Sequence, residues 1–284
     1  MRLAEIRIYP IKSCGGISVA GAVLEPRGFA GDRRYMLVNE CGRFLTQREH
    51  PRMATIRVRE AGGSSESGGS AKSPAGWVVE APGQRPLTLP ASLASGPQRA
   101  ATVWRDSLDL TEADPAVNRW FSDALSIPCR LVNMSDGQVR PLRPGRGRDG
   151  DQVSLADGAP VLLTATASLA QLNGRLPRPV GMLNFRPNLV AETVTPFEED
   201  QWGRIRIGEA EFDVAWACTR CVTTTIDPET AVKDPDGEPI RTLKTFRRGP
   251  EGVLFGQNLI PRRLGTVSVG DPIYIDGVID DPGA

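Results

Sequence analysis

The stretch Arg204-Ile205-Arg206-Ile207-Gly208-Glu209-Ala210-Glu211-Phe212-Asp213-Val214-Ala215-Trp216 alternates apolar and polar residues on either side of Gly208. Alternation with a period of two puts one face of a strand in a core and the other in water. A glycine between two such runs signals a hairpin. Working outward, Leu3, Ile6 and Ile8 mark a strand at the start of the chain, closed by Pro10 and the turn Lys12–Gly16. Further strands are expected at Ala22–Glu25, Tyr35–Val38, Ala54–Val58, Trp77–Glu80, Thr102–Leu110, Arg130–Val132, Pro160–Thr164, Met182–Ala191, Val222–Ile226, Val253–Ile260 and Thr266–Ile275. Two helices interrupt them. One starts at Pro115 and buries Ala116, Trp120, Phe121 and Leu125; the other carries Leu169, Leu172 and Leu176 on one face. The Gly/Ser-rich stretch 61–76 and the Arg/Pro/Gly-rich Arg140–Asp151 read as exposed loops. Many short strands with few helices predict a mainly β protein with some α structure (α+β), built as β-barrels with covering helices. The expected division is a β-barrel-like domain over 1–130 and a second barrel domain over 131–284.

Composition excludes several classes. Hydrophobic residues make up 40% of the 284 and aromatics 6%, so the core rests on aliphatic side chains. Acidic and basic residues balance at 34 each, which gives no global pull toward nucleic acid or anionic lipid. No apolar run is long enough to cross a membrane as a helix, and the start reads straight into a strand. The five cysteines are scattered except for one pair, which points to a reducing, cytoplasmic setting. The single histidine, His50, excludes metal sites that need several histidines from one chain.

The pair is Cys218-Thr219-Arg220-Cys221, directly after the hairpin. A structural zinc needs two more thiolates or histidines near by. A redox dithiol normally opens a helix, whereas this pair precedes a Thr-rich, β-prone run. Two small buried residues at a strand bend is the plain reading. The remaining one is a single thiolate ligand to a cofactor metal, with Arg220 lowering a thiol pKa or meeting an anion.

The stretch Ala217–Thr230 (ACTRCVTTTIDPET) resembles the signature of MOSC proteins related to the mitochondrial amidoxime-reducing component. So do Tyr9–Cys14, Gly31–Tyr35, Asn184–Asn188, Leu243–Arg247, Phe255–Asn258 and Val269–Pro272, in the same order along nearly the whole chain. The resemblance implies a MOSC N-terminal β-barrel domain followed by a MOSC domain, and a molybdenum cofactor held by a pyranopterin dithiolene. It makes Cys221 the thiolate ligand and catalytic centre, with Cys218 a neighbour. A soft thiolate suits a metal already bound by sulfur. The resemblance also implies that Lys12, Ser13, Arg33, Arg186, Asn188, Thr219, Arg220 and Asn258 line the cofactor site. Arg186 stands out on its own, since a charge inside the apolar run Met182–Ala191 needs a fixed partner. The sequence departs from the pattern twice: Gly158-Ala159 replaces two hydroxyl residues, and Asn258 replaces a tyrosine.

The expected function is a molybdenum-cofactor oxidoreductase that reduces N-hydroxylated small molecules or transfers an oxygen atom. The sequence carries no iron–sulfur motif, so a separate electron-transfer protein would feed it. No nucleic-acid or membrane partner is expected. The alternative is a carrier for the molybdenum cofactor or for sulfur, with Cys221 as acceptor.

Overall fold

The computed structural model describes residues 1–62 and 73–278. Of the expected Gly/Ser-rich loop, residues 63–72 lie outside the described residues, and Gly76 already opens a strand. The hairpin forms as its alternation predicts. Trp202–Ile207 pairs antiparallel with Ala210–Arg220. Ile205, Ile207 and Phe212 are buried, while Arg204 and Asp213 pair on the outer face at 2.9 Å. Gly208 turns at φ +56, where an added Cβ would lie 2.7 Å from the Thr266 carbonyl oxygen, so only glycine fits.

This hairpin belongs to a nine-stranded sheet. Its order is Ile273–Val278, Trp202–Ile207, Ala210–Arg220, Gly252–Arg263, Val161–Ala165, Leu189–Glu192, Arg2–Ile8 and Ile17–Val19, with Arg248–Gly249 pairing to the side of Gly252–Arg263. The first strand of the chain therefore completes a sheet built mostly by the second half. Val161–Ala165 and Leu189–Glu192 run parallel, which requires a crossover, and helix Thr166–Asn173 lies on that crossover. Smaller sheets of four, three and three strands complete the β structure. One hydrophobic core joins Leu3 and Ile6 to Trp77, Leu163, Phe212 and Ile273, so it spans both halves of the chain. A smaller core of Leu172, Phe185, Leu243 and Phe255 lies apart from it.

Several expected strands do not form as read. Met182–Ala191 divides: Met182–Phe185 is a 3-10 turn, Arg186 is left-handed at φ +54, and the strand starts only at Leu189. Pro187 has no N–H for a ladder and disfavours a helical residue before it. Val222–Ile226 is likewise a 3-10 turn over Val222–Thr225. The hydroxyls of Thr224 and Thr225 donate to the carbonyls three residues back, Cys221 at 3.0 Å and Val222 at 2.8 Å, and close the turn locally. Pro51–Thr55 is a 3-10 turn before a strand at Arg57–Glu60. Thr102–Leu110 is two strands, Gln98–Val103 and Asp106–Glu112, with Trp104 left-handed at the turn. Thr266–Ile275 also splits, into strands of different sheets. In the expected exposed loop, Arg140 is buried against Asp106 at 2.7 Å and the carbonyls of Ser154 and Ala156.

Candidate active site

Cys221 closes the long strand Ala210–Arg220 and caps the 3-10 turn that follows, in an extended conformation. Its half-buried sulfur lies 3.3 Å from Thr223 Oγ1 and accepts from Arg48 Nε at 3.3 Å. Burial pushes the thiol up, but the Thr223 hydroxyl and amide, with Arg48 behind them, outweigh it and set the pKa below the ordinary thiol value. Cys218 has different company: Arg220 Nη1 donates to its sulfur at 3.0 Å, and Arg220 Nη2 to the Phe185 carbonyl at 2.5 Å. The two cysteines thus sit against different arginines. Cys14 and Cys129 are buried elsewhere, and burial pushes the Cys14 thiol up to about 12.

Arg48 links Cys221 to a second group. Its guanidinium lies over the Trp104 ring at 4.6 Å, and Nη2 is 3.6 Å from Asp157 Oδ2. Asp157 Oδ1 receives Trp104 Nε1 at 3.1 Å and the Lys12 ammonium. Lys12 is buried and donates also to the Leu155 carbonyl at 2.8 Å. Burial lowers the Lys12 pKa, and Asp157 works against that. Packed protein around Asp157 works to raise its carboxyl, but Lys12 outweighs it, with Arg48 and the Trp104 N–H in support. The carboxyl is held ionised, below the usual carboxylate range.

Of the remaining expected residues, Arg33 and Arg186 gather on Tyr9. Arg33 and Arg186 both lie on its ring, at 4.4 and 4.3 Å. Arg33 Nη1 donates to Asp32 Oδ2 at 2.6 Å and to Asn188 Oδ1 at 3.0 Å. Asn188 also ties two strands together, donating to the Arg7 carbonyl at 3.1 Å and accepting from the Leu162 amide at 3.2 Å. Arg186 Nη1 donates to the Cys14 carbonyl at 2.7 Å, and the Ser13 carbonyl accepts from Gln47 Nε2 at 2.7 Å. Ser13, Arg33 and Arg186 all have positive φ, at 65, 47 and 54°. Side-chain-bearing residues seldom adopt that region, and such strain gathers where function holds it. Asn258 is buried in Gly252–Arg263, opposite Trp216 and Leu162. Thr219 is exposed on its strand, and among the described residues no side-chain hydrogen bond ties it to the rest.

Sequence reasoning gave no role to Tyr9, Trp104 or Asp157. A tryptophan at a hairpin turn and an aspartate before Gly158 look like surface residues. Only the fold brings them from 53 positions apart onto one hydrogen bond.

The donor set fits an anionic, sulfur-bound cofactor. Among the described residues, Arg186 and Arg220 have carbonyl and sulfur partners but no carboxylate within ion-pair distance. Arg220 Nε and the Tyr9 hydroxyl are buried with no hydrogen-bond partner in the described protein. Burial lowers the Arg186 pKa, so its charge is held at a cost. Half-buried guanidiniums of this kind call for a phosphate or oxygen-rich ring, which they can grip bidentately. The half-buried Cys221 sulfur supplies the soft ligand.

Comparison with known proteins gives the family. The MOSC N-terminal beta barrel domain matches residues 1–128, and the MOSC domain matches residues 150–274. Mitochondrial amidoxime-reducing component 1 of Homo sapiens is 32% identical, covering 97% of this chain and 83% of that protein. Component 2 of Rattus norvegicus is 33% identical, covering 96% and 82%. Component 1 of Mus musculus is 34% identical, covering 97% and 82%.

Proposed function

This chain belongs to the two-domain MOSC proteins related to the amidoxime-reducing components, and from that premise we infer that it is a molybdenum-cofactor oxidoreductase acting on N-hydroxylated small molecules. The observation that supports the reading best is the pairing of a half-buried, low-pKa sulfur at Cys221 with guanidiniums that lack carboxylate partners.

In this reading Cys221 binds the metal. Arg33, Arg186 and Arg220 hold the anionic parts of the cofactor, and Asn188 and Asn258 border them. Lys12 and Ser13 shape the turn beside it, and Thr219 contributes through its backbone. Residues 1–130 supply Lys12, Ser13, Arg33 and Arg48, and residues 131–284 supply Arg186, Arg220 and Cys221, so both expected domains build the one site.

When bound, the cofactor would supply two-electron reduction and take up the oxygen of the substrate. For an amidoxime the balance is two electrons and two protons in, amidine and water out, with the N–O bond broken. The electrons come from a separate electron-transfer protein. Arg48, donating to the Cys221 sulfur, holds the ligand's orientation and tunes its donor strength.

The test is molybdenum and pterin analysis of the purified protein, followed by reduction of benzamidoxime with a reduced viologen as donor. Molybdenum near one per chain with steady turnover supports the reading. Bound cofactor without turnover leaves the carrier reading, and absence of bound cofactor after reconstitution overturns both.

A further inference from the structure

Asp157 is tied to the Cys221 sulfur through Arg48, and its two oxygens are treated differently. Oδ1 is taken by Lys12 and by Trp104 Nε1 at 3.1 Å. Among the described residues Oδ2 faces only Arg48 Nη2, at 3.6 Å, which is too long for a good hydrogen bond. The side chain of Asp157 is 58% exposed while that of Lys12 is 5% exposed. One oxygen is therefore anchored in protein and the other is open. A Cβ added at the next residue, Gly158, would meet nothing within 4 Å, so there is room beside it.

The position of that open oxygen is fixed. A single planar guanidinium spans the gap from the Cys221 sulfur to Oδ2, with Nε at one end and Nη2 at the other. Arg48 lies over the Trp104 ring at 4.6 Å, and Trp104 is itself hydrogen-bonded to Asp157. An ionised carboxylate can only accept hydrogen bonds.

We propose that Asp157 anchors the substrate: its open oxygen accepts an N–H from the nitrogen next to the N–O group, which selects amidoxime-like and N-hydroxyguanidine-like compounds over those without that donor. This rests on the reading of Cys221 as the metal's ligand. An amidoxime carries its NH2 one carbon away from the reacting N–O group, so a donor beside the metal meets an acceptor beside the sulfur. A substrate lacking that N–H leaves the carboxylate oxygen desolvated and unpaired, and sites built for a hydrogen bond discriminate strongly on that ground. If Asp157 only balanced the charge of Lys12, its loss would weaken all substrates alike.

The experiment compares benzamidoxime with N,N-dimethylbenzamidoxime, which keeps the N–O group and lacks the N–H donors. In the molybdenum-loaded wild type, kcat/KM should favour benzamidoxime by roughly 10- to 150-fold, the range for a hydrogen bond to a charged group. Asp157→Asn should reduce that preference to within about threefold, with most of the change in KM. Calorimetry of the same two amidoximes on the loaded protein, with no electron donor present, should show the same loss of preference without any turnover. Should Asp157→Asn lose its molybdenum, Asp157→Glu keeps the charge beside Lys12, moves the oxygens by one methylene, and should also lose the preference. Equal rates on the two substrates in wild type, or an undiminished preference in both variants, overturns the anchoring role alone. A wild-type protein that holds no molybdenum overturns the functional reading and this one with it.

Discussion

Arg186 shows what a single residue can reveal and conceal. Its charge inside an apolar run requires a fixed partner. The partners are the Cys14 carbonyl and the Tyr9 ring, with no carboxylate among the described residues. The expected setting was wrong, since Arg186 sits at a left-handed turn before Pro187 and not inside a strand. Arg186→Ala should change the melting temperature of the cofactor-free protein little, because it relieves a desolvation cost while losing one carbonyl contact. The same change should weaken cofactor retention by roughly 10- to 150-fold, the worth of one charge-assisted contact. Molybdenum content and the melting temperature of the cofactor-free form are the two readouts. Collapse of the cofactor-free form would show instead that Arg186 is a structural residue.

At the scale of elements, strands with clean alternation were legible, and segments closed by their own side chains were not. The hairpin around Gly208 follows from period-two patterning, Tyr35–Val38 forms as a short strand buried throughout, and helix Pro115–Leu125 follows from an apolar stripe of which Phe121 and Leu125 are buried and Ala116 is exposed. The 3-10 turns at Met182–Phe185 and Val222–Thr225 were read as strands because their residues are apolar or β-branched. What decides them is a proline in one case and hydroxyl-to-carbonyl bonds in the other.

Gly256 lies within Gly252–Arg263 at φ +79, and an added Cβ would sit 2.6 Å from the Leu163 carbonyl oxygen. Gly256→Ala should therefore cost about 2 kcal/mol or more in urea unfolding, from strain and displaced backbone together. An unchanged midpoint would mean the strand bends elsewhere.

Glu199 gives a pH signature. It is fully buried, and burial raises its carboxyl to about 7, although it accepts from Ser168 Oγ at 2.7 Å. A carboxyl whose pKa rises on folding is favoured in the folded state while protonated. Its contribution is complete below the unfolded value near 4.5 and is lost as pH rises through about 7. The loss is roughly 3 kcal/mol at 1.36 kcal/mol per pH unit. Glu199→Gln mimics the protonated form. Between pH 5 and pH 8 its stability relative to wild type should improve by roughly 2–3 kcal/mol, and a difference that does not vary with pH would contradict the assignment.

For the whole molecule, the fold class was legible and the weaving of the halves was not. Strand Arg2–Ile8 inserts beside Leu189–Glu192, and one core runs from Leu3 to Ile273, pairings that no local pattern announces. The candidate site was legible where a motif marks it, as at Cys221 and Arg186. It was hidden where distant loops meet, as at Trp104 and Asp157. No nucleotide-binding glycine motif follows a strand, so the purified protein with NADH and benzamidoxime should show no steady turnover until an electron-transfer protein is added. Turnover with NADH alone would show that the chain carries its own electron entry.

The central claim is that the Cys221 sulfur holds the metal. X-ray absorption at the molybdenum edge of the loaded protein tests it most directly. The account predicts a thiolate sulfur beyond the dithiolene pair in wild type and in Cys218→Ser, and its loss in Cys221→Ser. The same sulfur shell in all three proteins, or its loss in Cys218→Ser alone, would contradict it.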